Sequence, residues 1–490
     1  MGADSTWQEA LAHALAVAGR LEGEGQYNVA KISLGVIFLL IALGGCQALR
    51  PAVAGGAGIG DSYYPELGNG GYDVQRYVIA LAVDPPGNVI TGTTTLEAKA
   101  LTRLSSFNLE LQGLTIAQVL VNDEPAEFTR QESEVIITPA RSLAASRTFT
   151  VMIAYHGSPR PALSKSGIGR MGWFHAEDGT INVVSEPDGA STWYPVNDHP
   201  RDKASYRFEI LVPKPWMVVA TGMLREVIDL GAYNNYTWEM EAPMASYLAS
   251  INIDEYVVVE AEAPGGIRMR NYFPPGYPEE RRMNFGTMPE MIAYFSWLFG
   301  EYPFDTYGVV ITDNLPFCPG ALEGQSLSIH CPDQTMASEY VIAHEIAYQL
   351  FGDSVSLENW QDLWLKEGLA SYAGWLWEHR HEDLAAFTAY VRERKTEFKL
   401  LAPIAQPPTD PLYGAEAYIG GAIFFHALRL QVGDPAFFEA LRMYSQEYRG
   451  GNANVEEFIS VVEAASGQRL DEFFNEWLNV TELPELPGNG

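Results

Sequence analysis

The sequence predicts an α+β protein of more than one domain, in which a β-rich first part precedes a mainly helical second part. From residue 72 to about residue 260, short β-type runs alternate with turn residues, as in the alternating apolar positions of 77–83 and the apolar run 135–137. After Gly265, longer helical patterns such as 288–299, 385–398 and 423–430 surround one extended stretch. A chain of 490 residues that is 47% hydrophobic is long enough for two or three domains with substantial cores.

Charge restricts the partners of this chain. Its formal net charge of -31 repels phosphate at long range, so we expect no nucleic-acid partner. An acidic surface suits the cationic ends of peptides, and it also keeps a protein soluble without any role in binding. Both interpretations stay open.

The N-terminal region has the pattern of a lipoprotein leader. An apolar run at 32–43 follows Lys31 and ends in Leu-Gly-Gly-Cys at Cys46, which resembles a bacterial lipobox. The run is too short to span a membrane comfortably. We therefore expect residues 1–46 to be a leader, Cys46 to carry lipid, and the protein to be lipid-anchored to the membrane on the extracytoplasmic face of a bacterial cell envelope.

Two further expectations concern the chain around this leader. Acidic residues outnumber Arg20 in the thirty residues before Lys31, which is unusual for a signal peptide and suggests a misassigned start, with translation beginning at Val29. A genuine cytosolic helix is the alternative. The Gly-rich stretch 47–71 is predicted to be a flexible linker without chemistry.

The most informative motif is His344-Glu345-Ile346-Ala347-Tyr348, followed after eighteen residues by Glu367. Apolar residues predict a helix here, with Gly352 as its stop, and a second helix over about 360–379. In an H-E-x-x-H helix, two imidazoles four residues apart share one face and bind zinc, while the glutamate polarises a water. Here the second imidazole is replaced by the phenol of Tyr348.

Residues 341–376 resemble the zinc-binding helices of the membrane alanyl aminopeptidase (aminopeptidase N) family, a gluzincin family of zinc metallopeptidases. The resemblance covers roughly residues 72–485 and includes three more segments: Tyr302-Pro303-Phe304-Asp305, Gly320-Ala321-Leu322-Glu323, and Tyr418 before Gly421-Ala422. It implies a saddle-shaped N-terminal β domain over 72–262. It further implies a thermolysin-like, mainly α catalytic domain over 263–490, with no C-terminal helical domain.

The resemblance also implies the roles of a catalytic centre that binds one zinc ion. His344, Glu367 and position 348 would be the metal ligands, and Glu345 would be the general base. Tyr418 would stabilise the oxyanion of the tetrahedral intermediate.

Two glutamates would select the substrate's end. By the same resemblance, Glu323 and Glu186 would bind the free α-ammonium of a peptide. Ala321 and Leu322 would help to line the first pocket, and Gly320 would belong to the same substrate-binding segment. The implied substrates are peptides with a free N-terminus, from which N-terminal amino acids are released.

Tyr348 leaves three interpretations open. The chain is an active aminopeptidase with tyrosinate or substitute ligation, a weakened enzyme that needs high metal, or a catalytically impaired peptide-binding pseudoenzyme. A phenol has a pKa near 10, so zinc must displace its proton, and its oxygen lies farther from Cβ than an imidazole nitrogen does.

Two cysteines follow the leader. Cys318 and Cys331 bracket the Gly-Ala-Leu-Glu segment. In an oxidising compartment they would form a disulfide, and two separate buried thiols are the alternative.

The leader makes the first testable prediction. Intact mass of the membrane-extracted protein is expected to place a lipid-modified Cys46 at the mature N-terminus, and start-site mapping is expected to place the first codon at Val29. A precursor that contains Met1 would contradict the proposed start.

Overall fold

The structure is a computed structural model, and it describes residues 51–315, 318, 320–333 and 335–488. The leader, with Val29 and Cys46, lies outside the described residues. Within these ranges, no helix is long and apolar enough to cross a membrane.

The first part of the chain is built of β-strands. Its strands are β1 (Val53–Ala54), β2 (Tyr72–Asp84), β3 (Val89–Ala100), β4 (Leu104–Glu110), β5 (Thr115–Val121), β6 (Glu124–Pro125), β7 (Glu127–Gln131), β8 (Glu134–Thr138), β9 (Thr148–Gly157), β10 (Ala162–Leu163), β11 (Arg170–His175), β12 (Ile181–Val184), β13 (Ala204–Pro213), β14 (Met217–Ala220), β15 (Met223–Asp229), β16 (Tyr233–Met244) and β17 (Ile251–Asp254). Among the described residues, the largest sheet has the order β15-β16-β13-β2-β3-β9-β5-β6, and two smaller sheets have the orders β1-β4-β8-β7 and β10-β11-β12-β17-β14. On β2 the alternating residues predicted from the sequence, including Tyr77 and Ile79, are buried.

The second part combines one mixed sheet with a group of helices. Its strands are β18 (Val257–Ala263), β19 (Ile267–Phe273), β20 (Thr306–Ile311), β21 (Ala321–Leu322), β22 (Ser328–His330), β23 (Ser356–Leu357) and β24 (Asn452–Ala453). Its helices are α1 (Glu279–Arg282), α2 (Met288–Phe299), α3 (Glu339–Tyr348), α4 (Leu363–Glu378), α5 (Leu384–Glu397), α6 (Gly421–Val432), α7 (Asp434–Glu447), α8 (Val455–Ser466) and α9 (Asp471–Leu478). The mixed sheet has the order β18-β19-β20-β22-β21, and β23 pairs with β24 in a separate two-stranded sheet. The predicted fold class, a β-rich domain followed by a mainly helical one, is confirmed.

Sheet membership bears on the domain boundary. The predicted boundary after residue 262 falls inside β18, one residue before its end, and β18 and β19 belong to the same sheet of the second part. The assigned domain limits stay a prediction.

The linker prediction for 47–71 is wrong for the part that the structure describes. Asp61 is buried, and its carboxylate accepts hydrogen bonds from the backbone N–H groups of Tyr63, Tyr64 and Trp360 at 2.7, 2.8 and 2.9 Å. It also lies 3.1 Å from the Nε2 atom of His199. The glycines of this stretch suggested a coil, but one buried carboxylate with four partners ties the segment to both halves of the protein.

We predict that Asp61→Asn lowers the free energy of unfolding by about 2 kcal/mol in urea denaturation, because hydrogen bonds to a charged group contribute about 1.5–3 kcal/mol. The exposed Glu66→Gln is the matched control. It breaks the surface contact with Lys165 and is expected to cost less than about 0.5 kcal/mol. Equal effects of the two variants would contradict the anchoring role.

The pH dependence of the Asp61 contribution has a defined sign. Burial raises the pKa of Asp61, but hydrogen bonding to His199 and to the three N–H groups outweighs it. The net result is a pKa lowered from 3.8 to about 2. A group with a lowered folded-state pKa stabilises the fold above its unfolded pKa, and this contribution disappears as the pH falls from about 4 towards 2. Asp61→Asn should therefore flatten the acid limb of the stability curve.

Candidate active site

Helix α3 brings the motif residues into the interior. The Ser338 hydroxyl accepts a hydrogen bond from the N–H of Val341 at 3.4 Å and so caps its N-terminus. The helix ends at Tyr348, and Gly352 follows with a φ of 145°. A Cβ atom on Gly352 would lie 3.2 Å from the Tyr348 ring and 3.5 Å from Cδ of Lys366, so glycine lets both side chains pack closely there.

Helix α4 is buried on all sides from Leu363 to Trp377. It packs against α6 at Gly368 and Gly421, where a Cβ atom on Gly368 would lie 2.8 Å from Cα of Gly421. A helix buried all round lies in a core. Lys366 and Glu367 are therefore held in the protein interior, where their charges require partners.

The hydroxyl of Tyr348 lies between His344 and Glu367. It donates a hydrogen bond to Oε2 of Glu367, and it lies 2.9 Å from Nε2 of His344. Nε2 of His344 and Oε2 of Glu367 are 3.9 Å apart. A phenol oxygen thus occupies the space between the two residues predicted to bind zinc.

These contacts define the proton positions that accompany an ionised Glu367. Because the Tyr348 hydroxyl uses its single proton towards Glu367, the contact with His344 requires Nε2–H to be the donor. Nδ1 is then the acceptor, and the Ser371 hydroxyl lies 3.5 Å from it. Burial, and second the Lys366 ammonium, lower the pKa of His344 to about 3, so the ring is neutral. The Nε2 lone pair is absent in this tautomer.

The ammonium of Lys366 is surrounded by carboxylates. Its Nζ atom contacts Glu323, lies 2.5 Å from Glu186, and lies 3.2 Å from Glu367. The rings of Tyr348 and Tyr247 lie 4.7 and 5.5 Å away. Burial lowers the pKa of Lys366, but the carboxylates of Glu186, Glu323 and Glu367 outweigh this effect and raise the pKa well above its usual value.

The remaining acids of the centre are also buried. Burial, followed by the Glu323 and Glu367 carboxylates, raises the pKa of Glu345 well above its usual value, and its Oε2 atom has no hydrogen-bond partner in the described structure. Burial, followed by Glu323, raises the pKa of Glu186 to about 8. Tyr418 lies on the π-helical turn before α6 and stacks on the His344 ring at 6.1 Å. The centre thus holds several carboxyl groups around one ammonium.

Three contacts position the segment that carries Glu323. Cys318 and Cys331 form a disulfide across it, which decides between the two alternatives left by the sequence. Gln349 accepts a hydrogen bond from the N–H of Ser326 at 2.6 Å and donates one to the carbonyl of Gly324 at 3.1 Å. These contacts attach the loop after β21 to the end of α3.

The structure brings most of the predicted site residues together. His344, Glu345, Tyr348, Glu367, Glu186, Glu323 and Tyr418 share one region. Gly320 and Ala321 lie on the segment that leads to Glu323 and pair with Cys331 and His330. The roles of these residues stay predictions.

Two important residues were missed. The pattern of the resembling family has asparagine where this chain has Lys366, and neither Lys366 nor Gln349 was predicted to belong to the site. A lysine inside an apolar helix needs a buried partner, and this was the available signal for Lys366.

Both parts of the chain match family models. The "Peptidase M1 N-terminal domain" matches residues 73–248, and the "Peptidase family M1 domain" matches residues 283–477. An M1 zinc metallopeptidase from Deinococcus radiodurans, solved as a mutant bound to a Tyr-Ser-Ala substrate, is 30% identical with a TM-score of 0.81. The alignment covers 88% of this chain and 100% of that one.

The chain belongs to peptidase family M1. By family it is a metallopeptidase, zinc is the cofactor of the family, and peptides are the substrates on which the family acts. "Aminopeptidase M1-A" of Oryza sativa subsp. japonica is 24% identical over 84% of this chain and 50% of that protein. "Glutamyl aminopeptidase" of Mus musculus is 23% identical over 74% and 41%. This M1 chain thus spans about half the length, or less, of these two relatives.

The donor set of this M1 chain does not fit zinc in the usual way. A zinc peptidase uses three protein ligands and one water. Here His344 and Glu367 are joined by a phenol that keeps its proton, and in the described ranges no group of three His, Cys, Asp or Glu side chains could hold a metal ion. Burial, followed by Glu367, raises the pKa of Tyr348 well above its usual value.

We predict that Gln349→Ala lowers the free energy of unfolding by about 2 kcal/mol, since it leaves the buried Ser326 N–H without a partner and removes one of the two hydrogen bonds to the Gly324 carbonyl, which still accepts from Leu327. Thermal and urea unfolding measure this loss. Gln431→Ala, which breaks an exposed contact of 3.4 Å with Gln468, is the control and should be nearly neutral. A neutral Gln349→Ala would contradict its positioning role.

Proposed function

We propose that this M1 protein binds peptides at the centre around His344 and Glu367, called the cleft below, and is catalytically impaired as a zinc aminopeptidase. The observation that carries the proposal is the Tyr348 hydroxyl, which hydrogen-bonds to both His344 and Glu367 in the space where a metal would lie. A solved M1 neighbour at 30% identity binds a Tyr-Ser-Ala peptide, which supports a peptide ligand for this cleft. Whether the cleft releases N-terminal amino acids depends on metal binding.

The residues of this chain favour binding over hydrolysis. His344 must give up its Nε2 proton, and Glu367 must give up the Tyr348 hydrogen bond, before either offers a lone pair to a metal. Loss of a partner that only orients a ligand costs about 10–100-fold in metal affinity, so loss of a ligand itself should cost more. We therefore derive no hydrolytic step through zinc here.

An active aminopeptidase is the second candidate, and specific residues favour it. Glu345 is retained next to the motif histidine, and Tyr418 stacks beside the same histidine. These are the predicted base and the predicted oxyanion donor. If a metal displaced the Tyr348 hydroxyl, both groups would already be in the site.

Zinc content separates the two candidates. Tyr348→His is expected to bind close to one zinc ion per chain, measured by elemental mass spectrometry after dialysis, because it restores the third ligand. Wild type is expected to bind much less than one zinc ion per chain. Tyr348→Phe is the matched control, since it removes the hydroxyl without adding a ligand, and it should not gain zinc to the same extent.

An activity assay gives the result that would contradict the proposal. Release of N-terminal residues from chromogenic amino-acid amides is expected to be very slow in wild type. If wild type instead holds zinc as Tyr348→His does, and loses substantial turnover in Glu345→Ala, the protein is an active aminopeptidase and the proposal fails.

We also propose an extracytoplasmic location, with a lipid anchor at Cys46. The disulfide between Cys318 and Cys331 supports an oxidising compartment. Globomycin treatment, which blocks lipoprotein signal cleavage, should cause the precursor to accumulate, and a Cys46→Ala protein that stays fully membrane-bound would contradict the anchor.

A further inference from the structure

The clamp formed by Glu186 and Glu323 already holds an ammonium group. Nζ of Lys366 lies 2.5 Å from Glu186, contacts Glu323, and lies 3.2 Å from Glu367. A lysine ammonium has three N–H donors, and here three carboxylates surround it. The α-ammonium of a peptide is the same kind of group, with the same charge and the same number of donors. The Lys366 ammonium and a peptide α-ammonium therefore compete for the same position between Glu186 and Glu323.

The position of Lys366 is fixed along its whole side chain. Its stem passes 3.5 Å from the Cβ position of Gly352, and its ammonium lies over the rings of Tyr348 and Tyr247. Its side chain is 1% exposed, and those of Glu186 and Glu323 are each 3% exposed. The ammonium cannot leave this enclosure without breaking ion contacts in a poorly solvated interior.

A peptide N-terminus would enter this place at a disadvantage. Lys366 is part of the chain, so its effective concentration at the clamp greatly exceeds that of a dissolved peptide. If both ammonium groups were present, their like charges would repel strongly in the buried centre. Of the two carboxylates that would select a free N-terminus, Glu323 is consequently hydrogen-bonded and Glu186 ion-paired to an ammonium of the chain itself.

We propose that Lys366 is a built-in competitor for the N-terminal ammonium of peptides, so that this cleft binds peptides without selecting a free N-terminus. This inference rests on the proposed peptide-binding function and specifies its ligand class. N-blocked peptides and internal segments are ligands as good as free N-termini. Lys366 is the residue that determines this specificity, and the Glu186–Glu323 pair is its partner.

The test compares two peptides that differ only at the N-terminus. Tyr-Ser-Ala-Gly-Gly-amide and its N-acetyl form are titrated calorimetrically against wild type, Lys366→Asn and Lys203→Gln. Lys203 is a partly buried lysine whose ammonium donates to the backbone carbonyls of Asp353, Ser354 and Gly451 at 2.9, 2.9 and 3.2 Å. It controls for the loss of a hydrogen-bonded lysine ammonium outside the clamp.

The expected result is a change in preference. Wild type and Lys203→Gln should bind both peptides equally well, whereas Lys366→Asn should prefer the free amine by at least about tenfold, the effect of charge-assisted hydrogen bonds to an ammonium. Wild type that prefers the free amine tenfold would overturn the inference and leave peptide binding intact. Folded Lys366→Asn without that preference would overturn it too.

A labelling experiment on the wild-type protein tests the proposal even if Lys366→Asn does not fold. Reductive methylation of native wild type should leave Lys366 unlabelled while it modifies the exposed Lys165, and both should react after unfolding in urea. If Lys366 reacts as fast as Lys165, the ammonium does not occupy the clamp and the inference fails. If neither peptide binds to wild type, the proposed peptide-binding function fails. The labelling then shows only whether the Lys366 ammonium occupies the clamp.

Discussion

The need to neutralise buried carboxylates governs the centre of this protein. Glu186, Glu323 and Glu367 lie in an interior where an isolated charge is very unfavourable, so each must have a cation or a proton nearby. In this chain the compensation comes from Lys366 and from the Tyr348 hydroxyl. Zinc and a substrate ammonium would supply positive charge to the same carboxylates in an M1 peptidase with the predicted ligand set.

The replacements at positions 348 and 366 support one another. The Tyr348 ring lies 4.7 Å from the Lys366 ammonium, its hydroxyl hydrogen-bonds to Glu367, and Gly352 leaves space for both side chains. A divalent ion between His344 and Glu367 would add two positive charges beside the lysine. The two substitutions are therefore coupled through the charge of the site, so zinc bound by Tyr348→His should be held less tightly than zinc bound by the double variant Tyr348→His, Lys366→Asn.

Much of this arrangement could be predicted from the sequence. The alternating residues of β2 predicted a strand, and the four-residue spacing of His344 and Tyr348 predicted a shared helix face. The family resemblance implied that Glu367 would join them from a second helix. The direction of the Tyr348 hydroxyl could not be predicted, since it depends on how closely α3 and α4 pack. Asp61 was equally hidden, because its partners His199 and Trp360 are far away in the chain and a Gly-rich neighbourhood suggested a flexible linker.

The central claim is that the chain's own side chains fill the catalytic centre. The most direct test is a crystal structure of the wild-type protein grown in excess zinc, with anomalous data collected at the zinc edge. We predict no anomalous peak between His344 and Glu367, the Tyr348 hydroxyl hydrogen-bonded to both, and the Lys366 ammonium between Glu186 and Glu323. A zinc peak bound to His344 and Glu367, with the Tyr348 ring turned away, would contradict the account.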